Sequence, residues 1–570
     1  MADTTEPKRP NGIWKRVAAG VAGVGLAAAA AFGVFATHSE HFHHPTHRVL
    51  EEIAAAKSVH VTFVPREPTN ALAGSKITGI LFPKRSASGE LQFDGRLSYV
   101  FVNQQYNFML VDGRGFSTVQ ELSTRKILRN ECLLARNIPP VFLLSETLRH
   151  ARVVDGTPSG MSIPCDDGKL VEFRFADEPF LFCSRHNGAI DKVHGEDIDA
   201  TIKLLQDNTE QEPMHAVLSR AGGLPIDECE SLVDGHEQAT MGAPTSSIST
   251  TTVRRALQHA TQRARDAVQV LKGENRRLDA WESCEACPTG PKPCLFVHGL
   301  GESTDAPESD EFKSYWGDVH RKLPCCSKVK FMRLNTIENA WYNPSLAKKV
   351  CNAAVSLSGS KDPMNLQNIA ILAHSMGNLI LANAAVQGMC AVGSTAKWIA
   401  LGGPIEGSQS SNFGLRMCRD NPDSRWDDGV VSMLRSLGIC PAKDGMSSLV
   451  HRETVPSTSQ LRTMFERAEA AYRARVSSVM CGVSSVGLAS FSSAMYSMLG
   501  KLSGHATSFN DGAVEFGSCR GSLTEAQFTT SWRGGAFYKA ALNHGDVALA
   551  TGDGWWGDDR KPLKWVNCQL

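Results

Sequence analysis

Apolar and polar positions follow two different rhythms along this chain, and the change from one to the other divides it. From residue 58 to about 233 the period is close to two. Residues 58–64 (Ser-Val-His-Val-Thr-Phe-Val) alternate, and residues 97–102, 108–111, 171–175 and 180–183 are dense in aromatic and β-branched side chains. Such side chains favour a pleated, half-buried surface. The pairs Asp94-Gly95, Asp112-Gly113 and Asn187-Gly188 fall between these runs as hairpin signals. An antiparallel β-rich domain over 58–235 is expected, without a catalytic constellation of its own. A sheet cradling an acyl chain is one reading of it, and a spacer or interaction domain is the plainer one.

Residues 236–290 form a polar linker followed by an arginine-rich helical stretch over 253–278. From Pro291 onward, short apolar runs alternate with helix-period segments. Strands are expected at 294–297, 329–334, 369–372, 398–401 and 477–481, with helices at 311–323 and 345–357 between them. That alternation predicts a mainly parallel sheet with helices on both faces. An insertion over 403–476 carries Leu461, Met464, Phe465, Ala468 and Tyr472 at helical spacing, and a second apolar patch at Val430, Val431, Met433, Leu434 and Leu437. Both suit either a mobile lid or the core of a cap.

The N-terminus carries a third pattern. Residues 17–36 hold no charge and are long enough for a transmembrane helix, and Lys8, Arg9, Lys15 and Arg16 precede them. The expectation is a cytoplasmic tail (1–16), a signal-anchor (17–36) and a juxtamembrane tether (37–57) rich in histidine. The bulk of the chain is then extracellular or lumenal. A cleaved signal peptide, giving a secreted protein, is the competing reading.

Composition sharpens this picture at two points. Lys and Arg number 59, as do Asp and Glu, so no net field favours a nucleic-acid partner. Sixteen cysteines are present, an even number that suits disulfides in an oxidising compartment. Cys284, Cys287 and Cys294 lack a second Cys-x-x-Cys partner, so pairing fits them better than zinc.

The candidate chemistry lies in the second half. Residues 368–382 place Ser375 in an Ala373-His-Ser-Met-Gly377 turn between an apolar strand and an apolar helix. A strand that reverses into a helix within one residue strains that residue and exposes its hydroxyl, as in a nucleophile elbow. Upstream, the strand at 294–297 runs into His298-Gly-Leu-Gly301. The amides of Leu300 and Met376 are the expected oxyanion donors, each worth on the order of 3 kcal/mol in a transition state. An elbow serine of this kind is followed in the chain by its acid and then its histidine. Downstream histidines are His451, His505 and His544, and the carboxylates between residue 481 and His544 are Asp511, Glu515 and Glu525. Asp511, in the turn Asn510-Asp-Gly, is the preferred acid. It leaves His544 as the base, although either residue alone reads equally as a polar loop residue.

Taken together, His298-Gly-Leu-Gly, His-Ser-Met-Gly, Asn510-Asp-Gly-x-Val and Asn543-His-x-Asp resemble the α/β-hydrolase lipases, particularly the bacterial triacylglycerol lipases, over about residues 291–570. The resemblance implies an α/β-hydrolase fold with a cap or lid insertion. It implies a Ser375–Asp511–His544 triad, oxyanion amides at Leu300 and Met376, and a lipid or other acyl-ester substrate. In those enzymes an aspartate near the histidine helps to bind structural calcium. Asp546 stands at that place, but no aspartate between 481 and 510 completes the set, and no cofactor is expected. Beside ester hydrolysis stand acyl transfer or thioester cleavage on the same scaffold, and a surface binding protein built on an inactive hydrolase.

Overall fold

The computed structural model describes residues 46–206 apart from 66–76, 86–90, 134–140, 158–162 and five two-residue gaps. It further describes Cys229, Cys287, and residues 290–420 and 440–570 apart from 455, 489–490, 534 and 555. Outside the described residues lie the predicted anchor at 17–36, the histidines at 38–44, the linker and helix at 236–278, Cys284 and the apolar patch at 430–437.

Eleven strands build the first sheet: β1 (Ser58–Pro65), β2 (Ile77–Arg85), β3 (Leu91–Phe101), β4 (Gln104–Val111), β5 (Arg114–Glu121), β6 (Ile127–Leu133), β7 (Arg152–Val153), β8 (Gly168–Phe175), β9 (Glu178–Arg185), β10 (Lys192–Gly195) and β11 (Ile198–Leu205). Their order is β6-β5-β4-β3-β2-β1-β11-β10-β9-β8-β7. Every pairing in it is antiparallel. The period-two pattern is the cause, because alternate side chains can cover one apolar face. Asp112 and Gly113 form the expected tight turn, with φ 49° and 73° and Val111 paired to Arg114. Asp94-Gly95, expected as a turn, instead lies within β3, opposite Phe82 and Leu81. The Asp94 carboxylate serves the next hairpin. It accepts from the Asp112 amide at 2.9 Å, and Lys84 bonds both Asp94 (2.6 Å) and Asp112 (2.9 Å). Disulfides Cys132–Cys229 and Cys165–Cys183 tie this sheet to itself and to the chain beyond it.

Seven strands form the second sheet: β12 (Lys292–Val297), β13 (Ala306–Ser309), β14 (Cys326–Arg333), β15 (Ala370–His374), β16 (Lys397–Leu401), β17 (Ser478–Gly482) and β18 (Phe537–Ala540). They lie in the order β13-β14-β12-β15-β16-β17-β18. This sheet is mixed, since β13 runs antiparallel to β14 while the other pairs are parallel. Alternate residues of its strands feed two cores. Leu295, Val297, Ile371 and Ala373 pack under the helices Pro344–Ser358, Met376–Val386 and Ser459–Arg475. Cys294, Phe296, Ala370 and Leu372 face Trp316, Trp532 and Trp565 on the other side.

The expected fold class is corrected by these sheets. A mainly parallel α/β-hydrolase architecture behind a transmembrane helix does not describe the chain. Its larger sheet is wholly antiparallel with eleven strands, and its second is mixed. The antiparallel sheet lies where the period-two pattern before residue 206 predicts strands, but it is the larger of the two sheets. The βα alternation after residue 291 carries no sign of the edge strand β13, too short and polar to register as a period, and it is this strand that makes the second sheet mixed. The expectation of a single-pass membrane protein is likewise corrected. Among the described residues no helix is long and apolar enough to cross a membrane, and residues 17–36 are not among them.

The apolar stripe at 461–472 is core in this structure. Phe465 packs on Trp341 with centroids 5.2 Å apart, and Tyr472 on Trp398 at 5.4 Å. The expected helix at 311–323 is broken into Lys313–Trp316 and Val319–Lys322, with Gly317 at φ 66° between them. Seven disulfides are described, including Cys287–Cys325, Cys294–Cys326, Cys351–Cys390, Cys418–Cys440 and Cys481–Cys519, and Cys568 is also disulfide-bonded. They are compatible with an extracellular location.

Candidate active site

The strand β15 ends at His374, and the helix Met376–Val386 begins two residues later, so Ser375 alone makes the reversal. Its backbone sits at φ 53°, ψ −128°, a conformation that costs a non-glycine residue about 1–3 kcal/mol and persists only where the surroundings enforce it. Several contacts do so. The Ser375 amide donates to the Leu401 carbonyl at the end of β16 (2.9 Å). The buried Asn378 side chain donates to the carbonyls of Ala373 (2.8 Å) and Ser375 (3.2 Å), and the Trp398 indole donates to its oxygen (3.1 Å). Gly377 is required by close approach, because a Cβ there would lie 2.6 Å from the Val297 carbonyl oxygen.

Asp511, in the segment after β17, and His544, the first residue of a short helix (His544–Val547) after β18, meet Ser375. Nε2 of His544 accepts from the Ser375 hydroxyl at 2.8 Å, and Nδ1 lies 2.7 Å from Oδ2 of Asp511. The other oxygen of Asp511 accepts the amides of Ala513 (2.9 Å) and Val514 (2.7 Å), while the His544 amide donates to the Asp511 carbonyl (2.9 Å). The acid is therefore held by its own turn, and the histidine backbone is held by the acid. Asp511 is 1% exposed, His544 6% and Ser375 8%; of the three, the serine retains the most access to an incoming molecule. Neither His451 nor His505 bonds to this serine. His505 pairs with Glu515 at 3.3 Å, and Glu525 with Lys539 at 2.9 Å.

The loop after β12 lies against the serine, since a Cβ on Gly299 would come 3.0 Å from Ser375 Oγ. The amides of Leu300 and Met376 donate to no acceptor among the described residues. Two buried histidines that the sequence reading left without a role fix this loop. His298 accepts the Leu334 amide at Nε2 (2.9 Å), so its Nδ1 carries the proton and donates to the Gly299 carbonyl (2.8 Å). Gly299 in turn donates to the Tyr315 hydroxyl (2.8 Å), which donates to Nδ1 of His374 (2.6 Å). His374 then donates from Nε2 to the His544 carbonyl (3.0 Å). One chain of hydrogen bonds thus runs from the glycine loop to the backbone of His544. The signal for His374 was its place in the elbow, whereas nothing local marks Tyr315.

Both bridging imidazoles are neutral. Burial pushes His298 down from 6.5 to about 4, with the Arg333 charge acting in the same direction, and burial holds His374 well below the ordinary range. Between pH 6.5 and about 4 an unfolded His298 binds a proton that the folded one does not, so stability falls as pH falls through that window. The difference corresponds to about 3 kcal/mol. Chemical denaturation at pH 7 and pH 4 is expected to show at least this loss in the wild-type chain, since His374 acts in the same direction, and a loss smaller by about that amount in His298→Asn.

Asp546 is fully used by the protein. Its carboxylate accepts the amides of Leu488 (2.7 Å) and Asn543 (3.3 Å) and the Thr551 hydroxyl (3.0 Å). With Asn543 it forms a capping box at the start of the helix that begins at His544.

No protein-family model and no curated protein matches the chain. Solved structures that it is similar to include a lipase-esterase related protein from Clostridium acetobutylicum ATCC 824, at 15% identity over 32% of this chain and 66% of that one, with a TM-score of 0.17. The dipeptidyl peptidase 4 of Porphyromonas gingivalis is 8% identical, over 73% of this chain and 72% of that one, with a TM-score of 0.14. The first match spans just under two thirds of its partner, and likenesses this slight carry no argument about this chain.

Proposed function

We propose that this chain is a serine hydrolase that cleaves carboxylic esters, those of lipids in particular, through an acyl-enzyme on Ser375. The observation that carries the reading is the continuous Ser375–His544–Asp511 hydrogen-bond chain, at 2.8 and 2.7 Å, ending on a serine in a strained reversal. In this reading the Ser375 oxygen attacks the ester carbonyl while its proton passes to Nε2 of His544. Asp511 holds Nδ1 protonated and stabilises the imidazolium. The negative charge that develops on the carbonyl oxygen is met by the amides of Leu300 and Met376. The alcohol leaves with the proton from His544. A water molecule then gives its proton to the same nitrogen and attacks the acyl group, releasing the acid and restoring the serine.

One neighbour, partly buried, fits this division of labour. Tyr496 packs edge-on against the His544 ring at 5.7 Å, and burial raises its phenol well above the ordinary range, so it stays protonated beside the base. The purified chain is expected to hydrolyse p-nitrophenyl esters, with kcat/KM rising with acyl length if lipids are its substrates. A flat profile would restrict the reading to a general esterase, and absence of turnover at every length would overturn it.

A further inference from the structure

The first sheet lines a partly open apolar cavity of about 150 Å3 that the proposed hydrolase chemistry does not use. Its walls come from strands far apart in the sheet. Phe108 stands on β4 and Phe173 on β8, and seven strand intervals separate those two in the strand order. In a flat sheet they would lie about 34 Å apart at the usual strand spacing of about 4.8 Å. For both to line one small cavity, the sheet must curl until its arms face each other.

The lining is a single face. Leu97 stands opposite Phe108 across β3 and β4, Val61 opposite Ile202 across β1 and β11, and Phe173 opposite Phe180 across β8 and β9. The last pair stacks with centroids 5.5 Å apart. Leu144, on the short helix Leu144–Arg149, closes part of the space. Its surface is apolar almost throughout, so a ligand's polar group would lose its hydrogen bonds on entry, whereas a hydrocarbon would lose none. An engineered apolar cavity of about 150 Å3 in another protein stays dry and takes up benzene, so this space admits roughly six carbon atoms. The cavity is partly open, which allows a chain to enter end first with its head outside.

We infer that the curled antiparallel sheet binds the end of a single acyl chain in this cavity, at a site separate from Ser375. The occupant is identified by chemistry: a partly open slot whose walls are apolar almost throughout, with Arg96 the one charged residue on its lining, fits a linear hydrocarbon tail. The tail could belong to a free fatty acid or to an ester lipid. This inference does not depend on the hydrolase reading.

Two small residues on the lining make it testable. A Cβ at Gly79 would meet Phe63, Val61 and Leu97 at 3.4–3.8 Å, ordinary contact distances, so Gly79→Leu puts its side chain among the walls. Ala200, between Phe63 and Val193 in the ladder, gives a second filling variant, Ala200→Phe. The full chain carrying Ser375→Ala is titrated with cis-parinaric acid, followed by its fluorescence. Saturable binding at one site is expected, with at least a tenfold weakening in each filling variant that retains the parent's thermal midpoint. Competition by octanoic acid assigns the tail to a free acid, and competition by dioctanoylglycerol alone to an ester lipid; either supports the site. Native mass spectra of the unsubstituted chain after incubation with octanoic acid provide a readout independent of any filling variant, with a single adduct expected. No saturable binding together with no adduct, or binding unchanged in both filling variants, overturns the inference and leaves the reading of Ser375 untouched.

Discussion

Ser375→Ala is expected to abolish labelling by a fluorophosphonate probe and to lower kcat by about 10⁶-fold. Probe reaction requires an oxygen nucleophile whose proton can leave at neutral pH, and Ser375 is the hydroxyl that donates to His544 Nε2. Removing the hydroxyl leaves the donors at Leu300 and Met376 in place, so residual turnover above the uncatalysed rate is expected to persist. The substitution keeps a Cβ at φ 53°, so the strain of the reversal and the stability of the fold are expected to change little. Undiminished labelling of this variant would place the nucleophile elsewhere and sink the assignment.

Asp511→Asn is expected to lower kcat by about 10⁴-fold with little change in KM. The direction follows from how the carboxylate is held. Two backbone amides, of Ala513 and Val514, donate to one oxygen, and an asparagine can keep both only by placing its carbonyl oxygen there. Its amide nitrogen must then face Nδ1 of His544 as a donor. The imidazole is driven to carry its proton on Nε2, where it cannot accept from Ser375. Rates measured from pH 6 to 9 should stay depressed throughout, because the fault lies in the tautomer and not in a shifted titration. Recovery of full rate at high pH would argue instead for a simple electrostatic role.

The geometry around Ser375 was legible in sequence to the extent that it is local. The small residues Ala373 and Gly377, the apolar run 369–372 and the His298-Gly-Leu-Gly turn all act within a few residues of themselves. Chain order then reduced the histidines and carboxylates downstream to a few, and the structure brings Asp511 and His544 to the serine. Tyr315 and Asn378 were not legible, because each acts through partners 16 to 59 residues away or through a carbonyl that sequence cannot orient. The fold was misjudged for a related reason. Period-two patterns report which face of a strand is buried, but neither how many strands join one sheet nor how far that sheet curls. Asp94-Gly95 shows the same limit at the smallest scale. Its composition is that of a turn, yet inside β3 its carboxylate meets a lysine on β2 and the amide of an aspartate in the turn between β4 and β5.

Hydrogen bonds join Ser375 to His544 across 169 residues of chain, and His544 to Asp511 across 33. The serine's own environment, from β12 to β16, comes together earlier in the sequence. A chain emerging during synthesis can therefore complete the elbow while the base that would activate it does not yet exist. Contacts of such long range form late and slowly. On the proposed reading, Ser375 gains its base only when His544 docks, and reactivity toward an electrophilic probe is expected to report that step during refolding.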